Sequence, residues 1–473
     1  MPLRALLINP PARFTLRGNN PAVVDEHRGV VPPLGLMYLA AYVRQFTHHE
    51  PAILDCPAEQ IDYDALGGAI VARRPDVVGI TTMTFTLLDV VETVRAARNA
   101  APDAKVVLGG PHVHLFPDET IRLPGVDYLV QGEGEVSFAR LLDAIEADQR
   151  PYAIPGVVWR DGDRVVNNGM PELIDDLDGL PFPARDLTPL ERYSSLLASR
   201  RGVTTMLTSR GCPYRCAFCM RSHLGKRFRA RSPRNVVDEI EQCVAMGIGE
   251  FLFYDDTFNL DRSRVVAICE QILSRGLDIG WDFRGRVDCV DLGMLQLAKR
   301  AGCQRVYFGV ESGVQAHLDA LDKGLDLGQV REGFSLAKQA GIATLAYFMI
   351  GLPGETRDDV LSTIEFAREL EPDFAHITIL TPFPGTPIYL GGLASGAIKR
   401  DYWREFAANP TREFVPPFWP GPLPPDELRE LCTLAYKRFY VRPRYIAREL
   451  LKVRSLGELG RKLRAGLAVL RMR

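Results

Sequence analysis

A chain of 473 residues is too long for one ordinary hydrophobic core, so two or three domains are expected. With 46% hydrophobic and 25% charged residues and no low-complexity tract, the composition is that of a globular protein. The net charge of −2 disfavours a general nucleic-acid binder, although it is unevenly spread: Lys437 to Arg473 hold 12 Lys/Arg against 2 Glu, which leaves about −12 on the rest.

In chain order, residues 1–148 read as alternating strands and helices. RALLINPP (4–11) is an apolar run closed by prolines, and LGLMYLAAYVRQF (34–46) has helical spacing. AILDC (52–56), DVVGITTMT (76–84) and KVVLGG (105–110) are short β-rich runs, with an amphipathic helix over residues 87–101 between the last two. YLVQGEGE (128–135) ends the series, and a helix follows from Val136. This alternation predicts a doubly wound, Rossmann-like parallel sheet. Ligands of such sheets lie beyond the C-terminal strand ends, where Thr81, Thr82, Gly109, Gly110 and Gly132 fall. Residues 149–197 hold a hairpin turning at Asp161-Gly162 and a Pro-rich linker.

A second β-α series runs over residues 198–398. Its strands are VTTMLTS, EFLFYDD, IGWDFRGRVD, RVYFGVES, ATLAYFMIG and HITILTPF. Ser232 and Pro233 are the N-cap and first position of a helix that stops at Gly247. Six βα units suffice for a partial TIM-type barrel with its active face at the C-terminal strand ends. Residues 399–473 are helical and end in a basic tail, with Leu456, Leu459, Leu463, Leu467 and Leu470 at helical spacing. That pattern suits a helix packed on the barrel with a solvated basic face, and also peripheral contact with an anionic membrane. No run approaches a membrane span, and the apolar stretch Leu3–Ile8 is too short for a secretory leader, so a cytoplasmic location is expected.

Six of the nine cysteines (Cys56, Cys243, Cys269, Cys289, Cys303, Cys432) are scattered singly and read as buried thiols. The other three, Cys212, Cys216 and Cys219 in TSRGCPYRCAFCMRS, follow the first strand of the second series at C-x3-C-x2-C spacing. A structural zinc wants four ligands, and here only His223 could add to the three thiols. An iron–sulfur cube held by three cysteines keeps one iron open for a small chelating ligand. Phe218 is placed to cover a flat ring of such a ligand.

The spacing, followed by six βα units, resembles the radical S-adenosylmethionine (SAM) superfamily. That resemblance implies a [4Fe-4S] cluster on Cys212, Cys216 and Cys219, with SAM on the open iron. It places Asp255 and Asp256 of FYDD at the SAM amino group, Arg286 of GRVD at a later strand end, and Glu311 and Ser312 of FGVESG at the ribose or methionine part. Ile350 and Gly351 of MIGLPGET match the fifth-strand region in outline.

The first series lacks G-x-G-x-x-G and a phosphate loop. Its NPP, PPLGL-x-YLA, LGGPH and GEGE stretches resemble, in this order, the cobalamin-binding domain of the group that holds the anaerobic magnesium-protoporphyrin ester cyclase and the hopanoid methylase. The likeness implies cobalamin contacts from Thr81, Thr82, Gly109, Gly110, Pro111, His112, Gly132, Glu133 and Gly134, with His114 beside them. The D-x-H-x-x-G cobalt-ligand motif is only approximated by Asp25-Glu26-His27-Arg28-Gly29, so His27 is expected to be a surface-loop residue.

The resemblance implies a methyltransferase that places methyl on an unactivated carbon of a lipid, tetrapyrrole or natural product, through a 5′-deoxyadenosyl radical and methylcobalamin. An oxidative cyclase or rearrangement enzyme using the same cofactors is the alternative. A reducing donor such as flavodoxin or ferredoxin, a small or lipid-like substrate and no nucleic acid are the implied partners. A methylthiotransferase would need three further N-terminal cysteines, and only Cys56 is there. A cobalamin sensor would have no use for the triad.

Overall fold

The computed structural model describes residues 1–16, 29–195, 197–198, 200–220, 224–451, 466–467, 469–470 and 472. Two mainly parallel sheets organise them. The first begins with β1 (Arg4–Asn9), while β2 (Gly29–Val30) lies outside it. It continues through β3 (Glu50–Asp55), β4 (Val77–Thr81), β5 (Lys105–Gly109), β6 (Tyr128–Val130), β7 (Val157–Asp161) and β8 (Arg164–Asn167). The order is β3-β1-β4-β5-β6-β7-β8, parallel up to β6 and antiparallel beyond. The expected hairpin forms, turning at Gly162 with φ of +61°, and its two strands extend the first sheet.

Both faces of this sheet are covered, which is why its strands read as continuous apolar runs. Ala5 and Leu7 face one core with Leu36, Met37 and Phe138, from helices Leu34–Phe46 and Gly134–Glu146. Leu6 and Ile8 face the other with Leu66, Ile70, Leu88 and Val94, from helices Tyr63–Arg73 and Leu87–Ala100.

After β9 (Ser194–Ser195), which pairs with β2, the second sheet starts with β10 (Val203–Met206). A small antiparallel ladder of β11 (Ser209–Arg210) and β12 (Arg229–Ala230) follows. The sheet resumes with β13 (Glu250–Phe253), β14 (Gly280–Gly285), β15 (Cys303–Glu311), β16 (Ala343–Ile350) and β17 (Phe374–Ile379). All six strands are parallel and in sequence order, and β10 does not pair with β17, so the barrel is open. Helix Pro233–Ala245 starts as expected: the Ser232 hydroxyl accepts from Asn235 N–H at 3.2 Å, and Gly247 follows with φ of +83°.

The C-terminal region does not act as one unit. Helices Pro387–Ala394 and Tyr402–Ala408 return to the first sheet, where fully buried Trp403 packs with Phe406 and Phe414. Helix Pro425–Tyr440 joins the barrel core and covers its last strand. Tyr436 and Tyr440 hydroxyls accept from Ile377 and Ala375 N–H, and Tyr440 donates back to the Ala375 carbonyl. The edge of β17 is thereby closed to other strands. In the tail, Leu456, Leu459 and Leu463 lie outside the described residues, as do His27 and His223. Leu467 and Leu470 are exposed, and Val469 packs on the barrel core. Among the described residues no helix is long and apolar enough to cross a membrane.

Candidate active site between the two sheets

The cysteine loop hangs from β10 and is tied down before its first thiol. The buried Asp255 carboxylate accepts from Thr208 N–H at 2.7 Å and from the Thr208 and Ser209 hydroxyls. Asp255, expected at SAM, therefore anchors the root of the loop. Asp256 accepts from Gly211 N–H and stays exposed beside it. Gly211 has φ of +83°, and a Cβ there would lie 2.3 Å from the Arg227 carbonyl, so only glycine admits this turn.

None of the three thiols is in a disulfide. Cys212 Sγ lies 3.5 Å from the Thr257 hydroxyl, and Cys219 N–H donates to the Cys216 carbonyl at 3.1 Å. Burial pushes the Cys216 thiol pKa up, while Lys323 and Arg286 pull it down toward thiolate. The three sulfurs do not converge within 4.8 Å of one another. One tetrahedral zinc would bring thiolates to about 3.8 Å apart. The three thiols are thus not gathered at the spacing of a single tetrahedral ion.

Three expected SAM-side residues meet around the loop. Arg286 stacks on Tyr214, 3.7 Å from its ring centre, grips Asp288 with two bonds of 2.9 Å, and donates to the Lys323 and Gly324 carbonyls. Glu311, at φ of +73°, pairs with Lys323 at 2.7 Å, and that ammonium lies 5.4 Å from the Phe218 ring. Phe218 also packs on Leu321, Met349, Leu352 and Leu380. Lys323 was not read from the sequence, because a lone lysine in LDKGLD carries no motif.

Three expected residues are placed away from the loop. Ser312 is fully buried, and its hydroxyl faces Thr363 of the outer helix Arg357–Leu370 at 3.3 Å, away from the loop. Ile350 points outward into the barrel core, and Gly351 makes a turn whose N–H donates to Glu355.

The first sheet contributes a cavity of about 170 Å³ at its C-terminal strand ends. Of the expected residues, Thr81, Gly109, Gly110, Gly132, Glu133 and Gly134 line it. Gly79 lines it too, and a Cβ there would lie 2.8 Å from the Leu7 side chain. Leu207, Arg210 and Leu224 close the cavity from the barrel side. Thr82, Pro111 and His112 do not line it. Thr82 is fully buried, and its hydroxyl donates to the Ile80 carbonyl. His112 turns inward to the Thr84 hydroxyl at 3.0 Å and to Phe116, and burial pushes its pKa down to about 3, so the ring is neutral.

Glu133 has a second set of partners. Arg210, two residues before Cys212, donates to Glu133 at 2.8 Å and to Glu135 at 2.6 Å. Arg229 grips Glu133 with bonds of 2.8 and 3.0 Å. All four side chains are at most 6% exposed. Glu133 thus ties the first sheet to the β11–β12 ladder that carries the cysteine loop.

Residues 21–142 match the B12 binding domain family and residues 206–367 the Radical SAM superfamily. A Pyrococcus horikoshii protein named as an uncharacterized methyltransferase is 35% identical over 95% of both chains. The chain belongs to the cobalamin-binding radical SAM family. It is 29% identical to the anaerobic magnesium-protoporphyrin IX monomethyl ester cyclase of Cereibacter sphaeroides, over 88% of this chain and 68% of that one. The fold matches the radical SAM methyltransferase TsrM of Kitasatospora setae, solved with cobalamin and a [4Fe-4S] cluster, with TM-score 0.69 and 22% identity over 84% and 79% of the two chains. This cobalamin-dependent radical SAM enzyme works with a [4Fe-4S] cluster, SAM and cobalamin. Its residues fit them: three well-separated soft thiols for the cluster, and a glycine-lined slot for the corrin's nucleotide tail.

Proposed function

We propose that this radical SAM enzyme is a methyltransferase that transfers a methyl group to an unactivated carbon of a small-molecule substrate. The observation that carries the reading is the shared wall: Arg210, at the root of the cysteine loop, also lines the glycine-rich cavity. A group held in that cavity and one held on the loop would therefore lie on either side of one residue. When bound, the cluster and SAM supply a hydrogen-abstracting radical and cobalamin supplies a transferable methyl.

The chain's residues do the rest. Cys212, Cys216 and Cys219 would hold the cluster. Burial raises the Cys216 pKa and Lys323 and Arg286 offset part of that rise, while Arg286 on Tyr214 keeps the loop seated on the barrel. Phe218, Glu311 and Lys323 would form a wall for SAM. Thr81, Gly109, Gly110 and Gly132 border the corrin slot. His112, buried and 3.0 Å from the Thr84 hydroxyl, is turned into the first sheet's core and does not line the slot. The working units are a corrin domain over residues 1–148, a barrel over 198–398 and the segments joining them. The expected setting is the cytoplasm, with a flavodoxin or ferredoxin as electron donor.

Cys216→Ala tests the assignment. It should abolish formation of 5′-deoxyadenosine from SAM while cobalamin stays bound. Deoxyadenosine at the wild-type rate in that variant would remove the cluster from this loop.

A further inference from the structure

The barrel lumen carries a charge that the cofactors do not account for. Alternation along the strands sends Phe253, Trp281, Phe283, Phe308 and Phe348 outward to the helices, where each is at most 1% exposed. The alternate positions Tyr254, Arg284, Tyr307, Tyr347 and His376 face inward, and all stay partly exposed. An inward residue that keeps exposure borders open space along the barrel axis.

Arg284 sits at the middle of this set. Its guanidinium carbon lies 3.9 Å from the Tyr254 ring centre and 5.6 Å from that of Tyr307. Tyr307 stacks on Tyr347 at 6.3 Å and 21°, and Tyr347 meets His376 edge-on at 5.5 Å. Rings therefore line one wall from the end of β13 to β17.

Among the described residues no carboxylate oxygen lies within 4.0 Å of Arg284. The acids of the barrel floor are committed elsewhere. Asp282 accepts from the Tyr307 hydroxyl at 2.8 Å and faces Arg305 at 3.4 Å. Glu250 accepts from Arg200 N–H at 3.2 Å and from Gln304 at 3.5 Å. Arg286, two residues along the same strand direction, shows the contrast, since Asp288 and two carbonyls satisfy it. The Tyr254 and Tyr347 hydroxyls accept hydrogen bonds from Arg284, and Asp282 acts on it only from a distance. A guanidinium does not shed its proton, and a partly desolvated cation with no carboxylate in contact is costly. Contact with aromatic faces offsets only part of that cost. Arg284 lies about 7 Å deeper than Arg286, by strand rise. It is therefore beneath the layer where Arg286 meets Tyr214 of the cysteine loop.

We infer that Arg284 anchors an anionic group of the substrate, a carboxylate or a phosphoryl group, inside the barrel lumen below the cysteine loop. The Tyr254, Tyr307 and Tyr347 rings then form the wall for the substrate's apolar body. This rests on the radical SAM reading of the loop. The forked guanidinium suits either oxyanion. The substrate is thereby an organic acid or phosphate ester, not a neutral hydrocarbon.

The test uses the full-length protein loaded with cluster and cobalamin. Equilibrium dialysis measures phenylphosphonate, benzoate, the neutral control benzyl alcohol, and SAM, on the wild type, Arg284→Gln and Arg284→Lys. At least one of the two anions should bind the wild type about tenfold more tightly than benzyl alcohol. The preferred anion identifies the group as phosphoryl or carboxylate. Arg284→Gln should lose about that factor for the preferred anion, Arg284→Lys should retain most of it, and SAM affinity should hold within about twofold. Equal binding of anions and alcohol, or anion binding untouched by Arg284→Gln, overturns the inference. So does an Arg284→Gln variant that loses SAM and keeps the anions, because the arginine would then serve the SAM carboxylate. Failure to form deoxyadenosine would instead strike the proposed function, and these affinities do not depend on turnover.

Discussion

Glu355 and Glu133 are both buried carboxylates, and their surroundings give them opposite pH behaviour. Glu355 is fully buried, accepts from the Gly351 and Leu352 N–H groups, and has no cation beside it among the described residues, so burial pushes its pKa up to about 7. The native state then binds more protons than the unfolded chain between the ordinary value of 4.5 and about 7, and stability falls as pH rises through that window. The loss is on the order of 3 kcal/mol. Glu355→Gln keeps an acceptor for the two N–H groups and should flatten that slope, measured as melting temperature from pH 5 to pH 8. Glu133 is also desolvated, but Arg229 and Arg210 hold its pKa below the ordinary value of 4.5. Its contribution is present above that value and is lost as pH falls below it. At Gly79 the issue is space. Gly79→Leu would fill the slot where even a Cβ meets Leu7 at 2.8 Å. Cobalamin retained after gel filtration should drop about tenfold while iron content holds.

At the scale of elements, the Glu133–Arg210–Arg229 group is the joint between the first sheet and the cysteine loop. Glu133→Ala leaves two buried guanidinium groups short of a carboxylate, and the expected cost is about 3–5 kcal/mol of unfolding free energy, read by urea titration. A loss below 1 kcal/mol would mean that the joint is not a structural tie. Sequence reading found the elements on either side of this joint but not the joint. Strands such as RALLIN and EFLF are legible because parallel strands covered on both faces are apolar runs, and the Ser232 cap and the cysteine spacing are local patterns. Arg210 and Glu133 lie 77 positions apart, and nothing local to either announces the other. Thr82 and His112 show the converse. A hydroxyl and an imidazole beside glycines read as ligands, yet backbone direction turned both into the interior. Arg284 lacks even a motif, and its proposed role depends on alternation along the strands of an open barrel.

Across the whole molecule, the two sheets are held by more than their shared cavity. Helix Tyr402–Ala408 follows the barrel in sequence but packs on the first sheet, with Trp403 donating to the Pro382 carbonyl at 2.8 Å. Trp403→Ala should cost about 3–5 kcal/mol. It should also loosen the first sheet more than the barrel, seen as faster amide exchange in β1 and β4 than in β14 and β15. This arrangement holds the first sheet, which lines the cavity, against the segment that follows the barrel. The most direct test is an anaerobic incubation of the reconstituted enzyme with reductant and methyl-labelled SAM. The account predicts label in the corrin fraction together with S-adenosylhomocysteine. Bound cobalamin that stays unlabelled while 5′-deoxyadenosine accumulates would contradict it and give the lead to a cyclase or rearrangement enzyme.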